Sequence, residues 1–321
     1  MNELTRRQFI HRAGLATVAA AMALGRTSTT SAAAAKTCKM TVDLVCGNLG
    51  ISAGQREAIE LAARHGFESV GADGGYLATL NQEQMAELKS FLGSKALVFG
   101  AAGLPLDFRR DEERFRAGLK TLPQFAAGLQ RAGVNRVATW LTPCDDQLTY
   151  MQNFRQHTLR LREAAKALQD YSVRLGLEYV GPKTSWASRR YPFIHTLAEM
   201  KDLVGEINVP SVGYILDSWH WWHAGDTAAD VRSLKANDVI AVDLNDAPAG
   251  IPKDQQVDGR RELPCATGVI DVGAFLNALN HIGYDGPVRA EPFNQAVRQM
   301  TKDDACEAAA IALKKAFALV S

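Results

Sequence analysis

The feature that most constrains this chain is an alternation. From residue 40 onward, short apolar runs of strand length alternate with longer amphipathic stretches, eight times over. The runs cover residues 40–46, 67–72, 96–101, 136–141, 175–180, 212–216, 239–244 and 288–292. The stretches between and after them, 55–64, 82–92, 112–131, 151–170, 196–207, 228–234, 272–282 and 304–319, carry apolar residues at helical spacing, as Met85, Leu88 and Leu92 do. Gly66, Gly133, Gly176 and Gly283 stand where helices would end, a position that favours a left-handed residue. Strand-then-helix units predict an α/β fold, and eight of them predict a single-domain (β/α)8 TIM barrel. A doubly wound sheet would want a glycine-rich phosphate turn after its first strand, and Val45-Cys46-Gly47-Asn48-Leu49-Gly50 lacks that spacing.

The first 35 residues do not join the alternation. Arg6-Arg7-Gln8-Phe9-Ile10 is followed by an apolar stretch at 13–24 and a small-residue run at 27–35. That order predicts a twin-arginine export signal, with the twin-arginine translocase as a partner and a periplasmic or secreted destination. Residues 13–24 are too few to span a bilayer. Ala35-Lys36-Thr37 before Cys38 is no lipid-attachment signal, so no stable membrane anchor is predicted. The expected organisation is a signal peptide at 1–35 and a barrel domain at 36–321.

Charge changes meaning once the leader is set apart. The whole chain has 36 basic and 35 acidic residues. Without Arg6, Arg7, Arg12, Arg26 and Glu3, the remainder has 32 and 34, a net charge of −2. A mildly acidic protein has no electrostatic reason to bind a phosphate backbone, which argues against a nucleic-acid partner. A hydrophobic share of 47% with 22% charged residues fits a packed globule rather than a disordered chain. Five cysteines without a CxxC exclude a disulfide framework or zinc ribbon and leave room for one incidental disulfide. A homo-oligomer is left open.

In a barrel of this kind the chemistry sits at the carboxyl ends of the strands. Four successive runs end in acids: Glu178, Asp217, Asp243 and Glu291. An acid closing a buried strand is costly unless it is paired or ligating, and four at one mouth repel by several kcal/mol without a cation. A divalent metal resolves this most simply. The oxygen-rich set favours Mn²⁺ or Mg²⁺, with Zn²⁺ or Co²⁺ admitted if His220, three residues after Asp217, joins. Asn245 shares the face of Asp243 by period-two alternation, while Asp246 reads as an Asx turn before Pro248. Trp219, Trp221 and Trp222 read as core or rim, or as a platform for a sugar face.

Glu178, Asp217-x-x-His220, Asp243-Leu-Asn-Asp-Ala-Pro248, the Arg260-Arg261 loop and Glu291-Pro-Phe293 together resemble the xylose isomerase-like TIM-barrel superfamily of sugar isomerases and epimerases. The resemblance implies metal ligands at Glu178, Asp217, position 243 and Glu291, with Asp243 standing where many relatives have His. It implies that Glu178 and Glu291 also serve as acid and base. It implies substrate contacts from His220 and from Arg260 or Arg261. Lys183, just beyond Glu178, and Trp140, closing the fourth run, complete the candidate substrate-binding set.

The expected activity is isomerisation or epimerisation of a neutral keto sugar or polyol. A metal polarises the carbonyl, one glutamate removes the neighbouring proton and the other returns it. Three alternatives remain open: a β-eliminating lyase on 3-keto-glycosides using the same residues, an endonuclease IV-like nuclease, and a non-catalytic sugar-binding barrel. Export and the net charge count against the nuclease.

Overall fold

All eight runs become strands, and each pairs in parallel with the next in sequence. A computed structural model describes residues 38–321, so the expected leader lies outside the described residues. The strands are β1 (Thr41–Leu44), β2 (Ser69–Ala72), β3 (Val98–Gly103), β4 (Arg136–Trp140), β5 (Arg174–Glu178), β6 (Val212–Asp217), β7 (Val239–Leu244) and β8 (Pro287–Ala290). β8 closes on β1, with Val42 opposite Val288, and the sheet is a complete eight-stranded barrel. Closure removes the edges that would otherwise invite another chain. β6 and β7 are buried at every position, as expected of a parallel sheet covered on both faces.

The outer layer comprises α1 (Gln55–His65), α2 (Gln82–Ser94), α3 (Glu112–Ala132), α4 (Tyr150–Gln169), α5 (Leu197–Ile207), α6 (Ala228–Arg232), α7 (Val272–Ile282) and α8 (Lys302–Phe317). Local chemistry sets their ends. Asn81 and Gln84 form a reciprocal capping box at α2, and Asp111, Asp271 and Thr301 cap α3, α7 and α8 with their side chains. Gly66, Gly133 and Gly283 take the left-handed C-cap conformation. No described helix is long and apolar enough to cross a membrane. All five cysteines are free thiols.

Gly176 departs from the expectation. It lies inside β5, and α4 ends at Gln169 with Asp170 as its cap. The glycine serves a close approach: a Cβ there would lie 2.7 Å from Ile240 Cβ and 3.0 Å from Ile215 Cγ1. Ala101, Ala138, Ile215 and Ala241 pack together as a small apolar cluster distinct from the main core. Gly100 likewise admits the Asp43 carboxylate, whose Oδ1 would sit 2.6 Å from an added Cβ.

The rim carries two further features. A two-residue antiparallel ribbon joins Cys144–Asp145 to Tyr191–Pro192, tying the loop after β4 to the loop after β5. A short helix, Ser218–Ala224, begins directly after β6, with Asp217 as its N-cap.

Candidate active site

Register brings the acids together. Asp217 on β6 lies opposite Asp243 on β7, which lies opposite Arg289 on β8, and Trp140 on β4 lies opposite Glu178 on β5. Two cavities open at the mouth, of about 340 and 550 Å³, and Trp140, Glu178 and Glu291 line both. Ligand-type atoms of Glu178, Asp217 and His220 lie within 4.8 Å of one another, and so do those of Glu178, Asp243 and Glu291.

Two arginines neutralise part of this charge. Arg289 grips Asp243 with both arms of its fork, Nε to Oδ1 at 2.6 Å and Nη2 to Oδ2 at 2.8 Å. Arg261 donates from Nη1 to Asp217 Oδ2 at 2.7 Å and to Glu291 Oε2 at 2.9 Å, and from Nη2 to Asp258 Oδ1 at 2.8 Å. Bidentate, charge-assisted geometry of this kind fixes orientation as well as energy. Burial opposes the charge on Arg261, but Asp217, Asp258 and Glu291 outweigh it and hold the guanidinium protonated. Phe293 stacks beneath its plane, 4.5 Å from the ring centroid.

The loop after β7 delivers that arginine, and Asp246 builds the loop. Its carboxylate accepts the backbone N–H groups of Ala247, Thr267, Gly268 and Ile270. Its own backbone exchanges two hydrogen bonds with Glu262. Asp246 is thus the Asx anchor that its position before Pro248 led one to expect.

Asp217 is fully enclosed. Its Oδ1 accepts from Trp219 N at 2.7 Å and Asn245 Nδ2 at 2.9 Å. The helical turn that follows puts His220 Nε2 3.8 Å from Asp217 Oδ2. His220 Nδ1 accepts from the Gly181 amide at 3.2 Å, and its Nε2 faces a second donor, Arg261 Nη2, at 3.3 Å. Burial, with Arg261 beside it, pushes His220 down to about 3, and the ring stays neutral.

The glutamates behave differently. Burial, then Glu291, Asp217 and Asp243, push Glu178 well above the usual carboxylate range. Burial and Asp243 do the same to Glu291 against the pull of Arg261. Glu178 Oε1 is sealed from solvent and has no hydrogen-bond partner. An orphaned buried carboxylate oxygen is costly and calls for a proton or a cation.

The donor set fits a divalent cation. Glu178, Asp217, Asp243, Asp258 and Glu291 are five acids, while Arg289 and Arg261 supply two positive charges. A divalent ion would offset most of the remainder, and carboxylate oxygens with one imidazole suit such an ion.

Other expected residues stand elsewhere. Lys183 is exposed and pairs with Asp254 at 2.7 Å, and it lines neither mouth cavity. Arg260 is exposed and lines a separate depression beside Asn294, so Arg261 alone of the pair reaches the acids. Trp219 and Trp221 are core residues. Two residues were not anticipated. Asp43, on β1, is 1% exposed and burial raises its carboxyl to about 6. Arg289 stands two residues before Glu291, and that period-two spacing was the available signal.

Comparisons with known proteins agree with this architecture. Residues 59–316 match the family model described as xylose isomerase-like TIM barrel. An inosose isomerase of Bacillus subtilis is 29% identical over 156 residues, 46% of this chain and 50% of that protein, so the match spans half that relative's length. A xylose isomerase domain protein from Alicyclobacillus acidocaldarius superposes with a TM-score of 0.77 at 31% identity, over 87% of this chain and 99% of that one. The IOLI protein, solved with a bound zinc atom, superposes with a TM-score of 0.71 at 20% identity, over 88% and 98%. A family match over most of the chain, carried on a closed eight-stranded parallel barrel, means that this protein belongs to the xylose isomerase-like TIM barrel family.

Proposed function

We propose that this protein is a divalent-metal-dependent sugar isomerase or epimerase that removes a proton next to a carbonyl of a keto sugar or polyol. The observation that carries this reading is the pair Glu178 and Glu291. Both carboxyls are pushed upward in the same enclosed mouth, with atoms within 4.8 Å of each other and of Asp243. Titratable groups tuned together in a cleft are what proton transfer at neutral pH requires. The names of the relatives, an inosose isomerase among them, support the same class.

Glu178, Asp217 and Glu291 would hold the metal, with Asp243 or His220 completing the set. When bound, the ion would act as a Lewis acid that makes the C–H beside a carbonyl more acidic and steadies the resulting negative charge. The chain's own residues do the rest. One glutamate accepts the proton from carbon and its partner gives one back. Return to the opposite face inverts the centre, and return to the adjacent carbon moves the carbonyl. Arg261 holds Asp217 and Glu291 in fixed orientations. Neutral His220 stands at the wall of the larger cavity, its Nε2 beside Arg261 Nη2.

The test is substitution with product analysis. Glu178→Gln and Glu291→Gln should each lower turnover by at least ~10²–10⁴-fold, with the circular dichroism spectrum unchanged. Activity retained in both variants overturns the assignment. Release of an aglycone from a 3-keto-glycoside, without inversion or isomerisation of a free sugar, would replace this reading with elimination at the same site. For the metal, dialysed protein should take up about one Mn²⁺, Mg²⁺, Zn²⁺ or Co²⁺ per chain. Asp243→Asn and His220→Ala then decide the fourth ligand, because loss of the ligand should weaken uptake beyond the ~10–100-fold that disturbing an outer partner costs.

A further inference from the structure

A third cavity, of about 360 Å³, adjoins the mouth. It shares Trp140, Thr142 and Arg189 with the larger of the two cavities that hold the carboxylates. Its character is different, because Arg109 stands there in no salt bridge with a described carboxylate. Arg109 is largely buried, lies 4.3 Å from the Phe108 ring centroid and 4.5 Å from that of Trp140, and donates to Thr139 Oγ1 and the Trp140 carbonyl. Among the described residues no carboxylate forms a salt bridge with it, and its buried Nε has no partner. The aspartates of this cavity are already engaged. Asp107 pairs with Arg110 and accepts the Arg109 backbone amide. Asp145 accepts the amides of Gln147 and Leu148. Burial, only partly offset by Asp107, lowers Arg109 to about 10.

A second unpaired group lines the same space. His157 is 2% exposed, and its Nδ1 is 3.0 Å from the Asn153 carbonyl. A carbonyl can only accept, so Nδ1 carries the hydrogen and Nε2 is left as an acceptor without a donor. Burial keeps the ring neutral, pushing it down to about 4. A guanidinium in no carboxylate salt bridge, beside an unused acceptor and in a cavity continuous with a reaction site, asks for an anion that also carries a hydroxyl.

We propose that this cavity is a subsite for the anionic end of the substrate, a carboxylate or phosphate seated on Arg109 with a neighbouring hydroxyl donating to His157 Nε2. The inference rests on the sugar-isomerase reading and sharpens it: the substrate is an acidic sugar derivative rather than the neutral one expected from sequence. Trp140, half exposed and lining all three cavities, is the wall along which such a molecule passes from Glu178 to Arg109.

The experiment is calorimetric titration of the intact protein with D-glucuronate, its neutral isostere D-glucuronamide, and D-glucose 6-phosphate. A charged hydrogen bond of ~1.5–3 kcal/mol corresponds to a preference of about 10-fold or more for glucuronate or the phosphate over the amide. Arg109→Gln should reduce that preference to within about twofold. Whichever anion binds tighter identifies the source. Equal affinity for glucuronate, phosphate and amide in the wild-type protein overturns the proposal, and needs no variant to fold. So does a preference that survives Arg109→Gln, which would place the anion elsewhere. Glu178→Gln separates this idea from the one beneath it. Lost turnover with glucuronate affinity intact supports both readings, whereas retained turnover sinks the chemistry and leaves the anion measurement standing.

Discussion

Removing Arg289 should expose how much of this barrel rests on cancelled charge. Its guanidinium is the bidentate partner of Asp243, at 2.6 and 2.8 Å, and Asp243 is 1% exposed. Arg289→Met keeps the volume and deletes the cation. The remaining donor, Asn48 Nδ2, lies 3.4 Å away, too long to replace two charged hydrogen bonds. A buried carboxylate without its partner costs about 3–5 kcal/mol. For a chain of this size that is a fall in Tm of roughly 10 °C, measured by thermal melts of metal-free protein. Asp243→Asn in the same background should recover part of the loss. A loss at pH 7 under about 1 kcal/mol would refute the reasoning, because it would mean the pair was solvated.

Further outcomes follow from the same geometry. Arg261→Met leaves Asp217, Asp258 and Glu291 without their common cation, so the metal-free protein should lose about 3–5 kcal/mol in thermal melts, and melting like wild type would contradict the ion-pair network. Asp43, raised by burial from 3.8 to about 6, stabilises the fold below pH ~4, and that contribution, roughly 3 kcal/mol, is lost as pH rises to ~6. Asp43→Asn should flatten the stability profile across that window, and an unchanged slope would assign it to another group. Gly176→Ala pushes a methyl to within 2.7 Å of Ile240 and should cost ~1–3 kcal/mol in urea unfolding, whereas Gly133→Ala strains a left-handed C-cap with nothing nearby to clash.

The fold was legible because its signals are local. Strands buried on both faces read as unbroken apolar runs, and capped amphipathic helices advertise their ends in side-chain chemistry. Gly176 misled for the same reason: a glycine that admits Ile240 across the barrel looks in sequence like one that ends a helix. The four acids were legible because each closes an apolar run, and the Asp217–His220 face because a helical turn follows at once. What escaped notice is non-local. Lys183 is five residues from Glu178, but its ammonium turns to Asp254, seventy-one positions away. The choice between Arg260 and Arg261 depends on hydrogen bonds from Asp246 to a loop more than twenty residues on. Arg109 gains its meaning because Asp107, two residues away, pairs with Arg110 instead, a choice that leaves no mark on a sequence.

The loop after β7 carries the formal charge of Arg261 into the mouth of the barrel. Fastened by Asp246 at one end and by Arg261 among three acids at the other, it works as a removable electrode. Grafting a relative's loop onto this scaffold would reset the potential felt by every group in the mouth, even where no strand residue changed.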